Sequence, residues 1–72
     1  MKIIVVGIGK VGYTVADQLS NEQHDVTIVD TNEKVLNAVL NNLDVIAVHG
    51  NGASRKVLSE AGVEESDLVI AL

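Results

Sequence analysis

A chain of 72 residues suits one small domain, and its 47% apolar content, nearly all aliphatic, supplies a core and argues against disorder. A formal net charge of −5 and a single aromatic residue, Tyr13, exclude phosphate backbone, stacked bases and anionic lipid as natural partners. Cysteine is absent, which removes disulfides, thiolate metal sites and a cysteine nucleophile, and no apolar run approaches the roughly 20 residues of a membrane span.

The first apolar run is Ile3–Val6. It is continuous rather than alternating, the pattern of a strand buried on both faces in a parallel sheet. Gly7-Ile8-Gly9-Lys10-Val11-Gly12 follows directly, and a helical stripe of Val11, Val15, Ala16 and Leu19 comes next. A second run, Val26–Val29, ends on Asp30. Thr31 or Asn32 then caps a second helix, striped by Val35, Leu36, Val39 and Leu40 and ending near Asn41-Asn42. A third run, Val45–Val48, leads through His49-Gly50-Asn51-Gly52 to a third helix carrying Val57, Leu58 and Ala61. Ser54 is placed to cap that helix and Gly62 to end it. The last run is Leu68–Leu72.

The order is β-α-β-α-β-α-β, with crossovers of the length parallel strands need. It predicts an α/β, Rossmann-like doubly wound parallel sheet with strand order 3-2-1-4. A complete fold of this kind continues through further strands, so residues 1–72 are expected to be the N-terminal half of one nucleotide-binding domain, a truncated piece. The fourth strand is then an uncovered edge that invites pairing with a second copy, and a homo-oligomer is expected.

The chemistry lies in the glycine loop. A G-x-G-x-x-G pattern alone is weak evidence, but here it follows a strand and opens a helix, and Asp30 lies close to the ~20-residue spacing at which an acid is expected. Gly7 permits the tight turn, Gly9 lets backbone approach a pyrophosphate, and Gly12 allows close helix–sheet packing. The N–H groups of Lys10, Val11 and Gly12 and the helix dipole favour a bound anion. Asp30 accepts from ribose hydroxyls, acts as a helix-capping aspartate before Thr31-Asn32, or does both. Its carboxylate repels a 2′-phosphate, which favours NAD, ADP or ATP over NADP. Lys10 either touches a terminal phosphate or faces solvent. Asn51 either meets the adenine edge or simply belongs to a Gly/Asn-rich turn. Lys34, Arg55 and Lys56 read as solvated surface cations, and His24 and His49 as surface or turn histidines without metal-ligand spacing. No nucleophile–base set or pair of carboxylates converges on the loop, so no enzyme is expected.

The opening Met1-Lys2-Ile3-Ile4-Val5-Val6-Gly7-Ile8-Gly9-Lys10-Val11-Gly12 resembles the start of the TrkA family, whose nucleotide-binding module is called the KTN or RCK domain. Val26-Thr27-Ile28-Val29-Asp30-Thr31-Asn32 and Val48-His49-Gly50-Asn51-Gly52-Ala53 extend the match. So does Val57-Leu58-Ser59-Glu60-Ala61-Gly62-Val63, followed by Ser66-Asp67-Leu68-Val69-Ile70-Ala71, and the resemblance spans the whole chain. It implies a cytoplasmic regulator of potassium uptake in which NAD(H), or else ATP/ADP, binds the loop. Nucleotide binding would then control a membrane potassium-translocating subunit, at whose inner face the full-length protein is peripheral. Carried onto this chain, it implies cofactor binding by Gly7, Ile8, Gly9, Lys10, Val11, Gly12, Asp30, Thr31, Asn51 and Gly52. Within that set the glycines hold phosphates, Asp30 holds the ribose, Lys10 senses a third phosphate, and Asn51 and Gly52 lie beside the adenine. Many relatives carry Asp where this chain has Asn51. The alternative is the cofactor-binding half of an NAD-dependent oxidoreductase.

Overall fold

Valine and isoleucine dominate the segments that become strands, because branched side chains pack well on a pleated surface and lose rotamer freedom in helices. In the computed structural model, which describes residues 1–72, the strands are β1 (Lys2–Val6), β2 (Asp25–Asp30), β3 (Ile46–His49) and β4 (Leu68–Ala71). The helices between them are α1 (Lys10–Asn21), α2 (Glu33–Asn42) and α3 (Arg55–Glu60), with a 3-10 turn at Val63–Glu65 before β4. All pairings are parallel, and the order β3-β2-β1-β4 matches the expected 3-2-1-4.

The register places Ile3 opposite Val26 and Leu68, and Val5 opposite Ile28 and Ile70. Strand alternation therefore puts these residues on one face. There Ile3, Val5, Val26 and Ile28 join Ile8, Ala16, Leu36 and Val39 in the buried core beneath α1 and α2. Ile4 and Val29 are buried on the opposite face. Only the two central strands are buried on both faces as their continuous apolar runs predict. On the outer strands Ile46 remains 64% exposed and Val69 41% exposed. The continuous-run rule overstates burial there because β3 and β4 are the edges of this four-stranded sheet.

The buried stripe of α1 is rotated by about one residue from the expected one. Ala16 is buried as expected, but Val11 is exposed and Gly12 is buried instead. The cause is close approach: a Cβ on Gly12 would lie 2.7 Å from the Gly7 carbonyl oxygen. The face without side-chain bulk thus sits innermost. Caps fall where expected on the other helices. Asn32, of the two candidates, caps α2 by accepting from the N–H groups of Lys34 and Val35, and Ser54 accepts from Val57 N–H. Gly62 is left-handed, with φ 87°.

The end of α1 carried no glycine signal. Gln23 occupies the left-handed position there, with φ 65°. Its N–H donates to Ser20 O at 3.1 Å and that of His24 to Leu19 O at 3.2 Å, the paired bonds of a Schellman motif. A left-handed residue with a Cβ costs roughly 1–2 kcal/mol. Part of that gain is offset by the unfolded-state entropy of glycine. Gln23→Gly is therefore expected to raise stability by about 0.5–1 kcal/mol in urea denaturation; an unchanged or lower midpoint contradicts this reading of the helix end.

Candidate nucleotide-binding site

The site is built where β1 ends. Between β1 and β4 the chain's direction of progress across the sheet reverses, and open α/β sheets bind ligands outside the strand ends at such a point. Gly7 leaves β1 with φ 83° and donates its N–H to Val29 O at 2.9 Å. The positive φ is a conformation that glycine adopts at no steric cost. Ile8 then turns its side chain into the core, where it is 4% exposed, and its N–H outward to Asp30 Oδ2 at 2.7 Å.

Gly9 is the N-cap of α1 and provides no side-chain cap. The N–H groups of Gly9, Lys10, Val11 and Gly12 meet no acceptor within the chain; the next N–H, of Tyr13, donates to Gly9 O at 2.9 Å. Four adjacent donors at the positive end of a 12-residue helix remain available, and no acidic residue lies in the first turn to compete for them. Gly9 also faces open space, since a Cβ built there would meet nothing within 4 Å. The cleft over these donors has a volume of about 420 Å³ and is lined by the whole Gly7–Gly12 loop, Asp30 and Leu72. Leu72 had not been singled out from the sequence. It is held here by its N–H bond to Val6 O at 3.0 Å, and its side chain leans over Gly12.

Asp30 joins three turns. Oδ2 accepts from Ile8, Oδ1 accepts from Asn32 N–H at 2.8 Å, and its carbonyl accepts from Gly50 N–H at 2.9 Å. Asp30 therefore lines the cleft but does not cap α2: its Oδ1 only tightens the turn at Asn32, and the capping is done by Asn32 itself. Beside it, His49 Nε2 lies 2.9 Å from Thr31 O. A carbonyl only accepts, so Nε2 carries the proton in this bond. His49 thus ties β3 to the turn after β2, a role that its residue type alone did not reveal.

The remaining expected residues lie off the cleft wall. The carbonyl of Thr31 is held by His49, and the residue is not part of the lining. Asn51 uses one lone pair of its side-chain oxygen to accept from Ala53 N–H at 2.8 Å, which ties the side chain into its own turn and leaves its amide hydrogens and one lone pair for a ligand. Gly52 answers a packing need, because a Cβ there would come 2.1 Å from Val6 Cγ1. The loop, Lys10 and Asp30 are brought together; Thr31, Asn51 and Gly52 flank them.

A larger opening, about 590 Å³, lies at the other end of the sheet among Lys2, His24, Asp25, Asp44 and Ile46. Two carboxylates there oppose an anion, whereas the glycine loop gathers unpaired donors, so size does not decide between them. No cluster of His, Asp or Glu is placed to hold a metal ion, and no helix is long and apolar enough to cross a membrane.

A parallel sheet of this order, with a glycine loop opening the first helix and an acid at the end of the second strand, defines a Rossmann-type domain. The model of the TrkA-N domain matches residues 3–72, and the chain belongs to that family. It is 40% identical over its full length to the Trk system potassium uptake protein TrkA of Azorhizobium caulinodans and 43% identical to that of Halomonas elongata. In both cases the chain spans 16% of the relative's length. A TrkA homolog of Methanothermobacter thermautotrophicus is 34% identical over 71 residues, covering 33% of that protein. Among solved structures, the Shewanella denitrificans Kef CTD in its AMP-bound form superposes with a TM-score of 0.78 at 22% identity, over 96% of this chain and 40% of that one. That likeness is one of fold.

The three loop glycines differ in what surrounds them, and this separates stability from access. For Gly12→Ala, overpacking against backbone costs about 1–3 kcal/mol and outweighs the ~1 kcal/mol gain in helix propensity. Gly9→Ala meets no atoms and leaves stability within about 0.5 kcal/mol of the wild type. Thermal denaturation of the two variants checks the contrast; equal losses contradict it.

Proposed function

We propose that this chain is the nucleotide-sensing module of a potassium uptake regulator, and that its glycine loop takes an adenine nucleotide, NAD(H) or ATP/ADP. The observation that carries this reading is the convergence, in one cleft, of four unpaired N–H groups, the open approach at Gly9 and the Asp30 carboxylate. The similarity to Trk system potassium uptake proteins favours the potassium-uptake regulator over the oxidoreductase half.

In this proposal the phosphates lie on the N–H groups of Gly9 to Gly12. Each hydrogen bond to a charged group contributes about 1.5–3 kcal/mol, and the helix dipole adds about 0.3–1 kcal/mol. The net charge of −5 opposes an anion only weakly, because charges beyond a Debye length of about 8 Å are screened. Local donors therefore win over global charge. Lys10, first in α1 and on the cleft wall, adds a cation for a further phosphate. Asp30 accepts from the ribose hydroxyls, using lone pairs left by its two backbone donors. Asn51 and Gly52 then lie towards the adenine end rather than under the phosphates.

Control of a membrane potassium-translocating subunit requires that the nucleotide bind two states of the regulator with different affinity. We assign that coupling to the full-length protein, a homo-oligomer at the inner face of the cell membrane, and to this chain the recognition step.

Calorimetric titration with NADH, NAD, NADP, ATP and ADP tests the reading. A carboxylate ~4 Å from a 2′-phosphate costs about 1–4 kcal/mol per charge, so NADP is expected to bind at least roughly tenfold more weakly than NAD. Gly9→Ala is expected to lose roughly tenfold or more in affinity for every ligand that binds while the chain stays folded. Undiminished binding by the folded Gly9→Ala variant contradicts the placement of phosphates at this loop.

A further inference from the structure

We infer that Asp30 is also a positioning residue for the phosphate loop: by accepting the Ile8 N–H, its carboxylate holds the segment that carries the four free N–H groups. This deepens the proposed nucleotide site and goes beyond an acceptor for ribose.

The loop has few other ties. The Gly7 N–H is committed to Val29 O, and from Ile8 to Gly12 the only N–H with an intrachain partner is that of Ile8. No side chain caps α1, so nothing at Gly9 itself fixes where the first turn points. The loop is pinned at Ile8 from two sides, by its buried side chain and by its N–H on Asp30. Asp30 is in turn fixed by Asn32 N–H on its other oxygen, and Asn32 caps α2. The shape of the phosphate loop is thus referred to the start of α2 through one carboxylate.

The two roles of Asp30 predict opposite signs for a ligand without ribose. As a negative charge on the cleft wall, Asp30 repels inorganic pyrophosphate, and removing the charge strengthens binding. As a brace for the donors, it favours pyrophosphate, and removing it weakens binding. In D30N the amide oxygen can keep the short-range bond to Asn32 N–H, while the amide nitrogen cannot accept from Ile8.

The experiment pairs amide hydrogen exchange with pyrophosphate titration, on the wild-type chain, D30N and D30A. Ile8 exchange is expected to rise roughly tenfold or more in both variants, as for the loss of a charge-assisted hydrogen bond, with Val5 and Ile28 amides unchanged. Pyrophosphate affinity is expected to fall roughly tenfold despite the lost negative charge. Unchanged Ile8 exchange, tighter pyrophosphate binding, or loss of protection throughout the strands of D30N would each overturn the inference. Only the pyrophosphate arm rests on the nucleotide reading. A wild-type chain that binds neither pyrophosphate nor any nucleotide sinks that reading, and Ile8 exchange then decides the positioning role alone.

Discussion

The hydrogen bond from the Ile8 N–H to the Asp30 carboxylate, 2.7 Å long, joins the end of β2 to the loop that leaves β1. It is charge-assisted and partly buried, conditions under which such a bond is short and strong. On one side of it Gly7 turns out of the strand with a positive φ. On the other, α1 begins with four N–H groups that no protein atom claims. Helix starts are ordinarily satisfied by a side chain, as Asn32 and Ser54 do for α2 and α3. The exception at α1 gives up a capping bond worth about 1 kcal/mol and leaves its donors unpaired.

The glycines in this region do not all answer to the fold. Gly7 meets a dihedral requirement, Gly12 a contact with the Gly7 carbonyl, and Gly52 a contact with Val6. Gly9 meets none of these, for the space above it is open. Three of the four glycines are explained by the fold alone. Gly9 is explained by what the fold leaves room for.

Much of the fold was legible because each level of the sequence agreed. Branched aliphatic runs marked strands, helical stripes marked crossovers, and Asn32, Ser54 and Gly62 fell where the helix ends needed them. The glycine loop and Asp30 were legible as a constellation because their spacing follows from one β-α-β unit. The rest depended on tertiary geometry. Helical spacing pointed to Val11 as well as Ala16, yet close contact with the Gly7 carbonyl turned Gly12 inward and left Val11 exposed. A left-handed helix end at Gln23 had no sequence mark, since glutamine is not a residue chosen for that conformation. The Thr31–His49 link and the wall formed by Leu72 join residues distant in the chain, and no local pattern encodes them.

The openings at opposite ends of the sheet allow a direct test of where the ligand binds. Amide chemical shifts of the isotope-labelled chain, followed while ADP is added, report which end of the sheet the ligand meets. Nucleotide binding at the glycine loop predicts large, saturable shifts at Gly9, Lys10, Val11 and Gly12, with the residues around His24, Asp25 and Asp44 unmoved. Shifts concentrated around the amino ends of the strands, with the glycine loop silent, would contradict it.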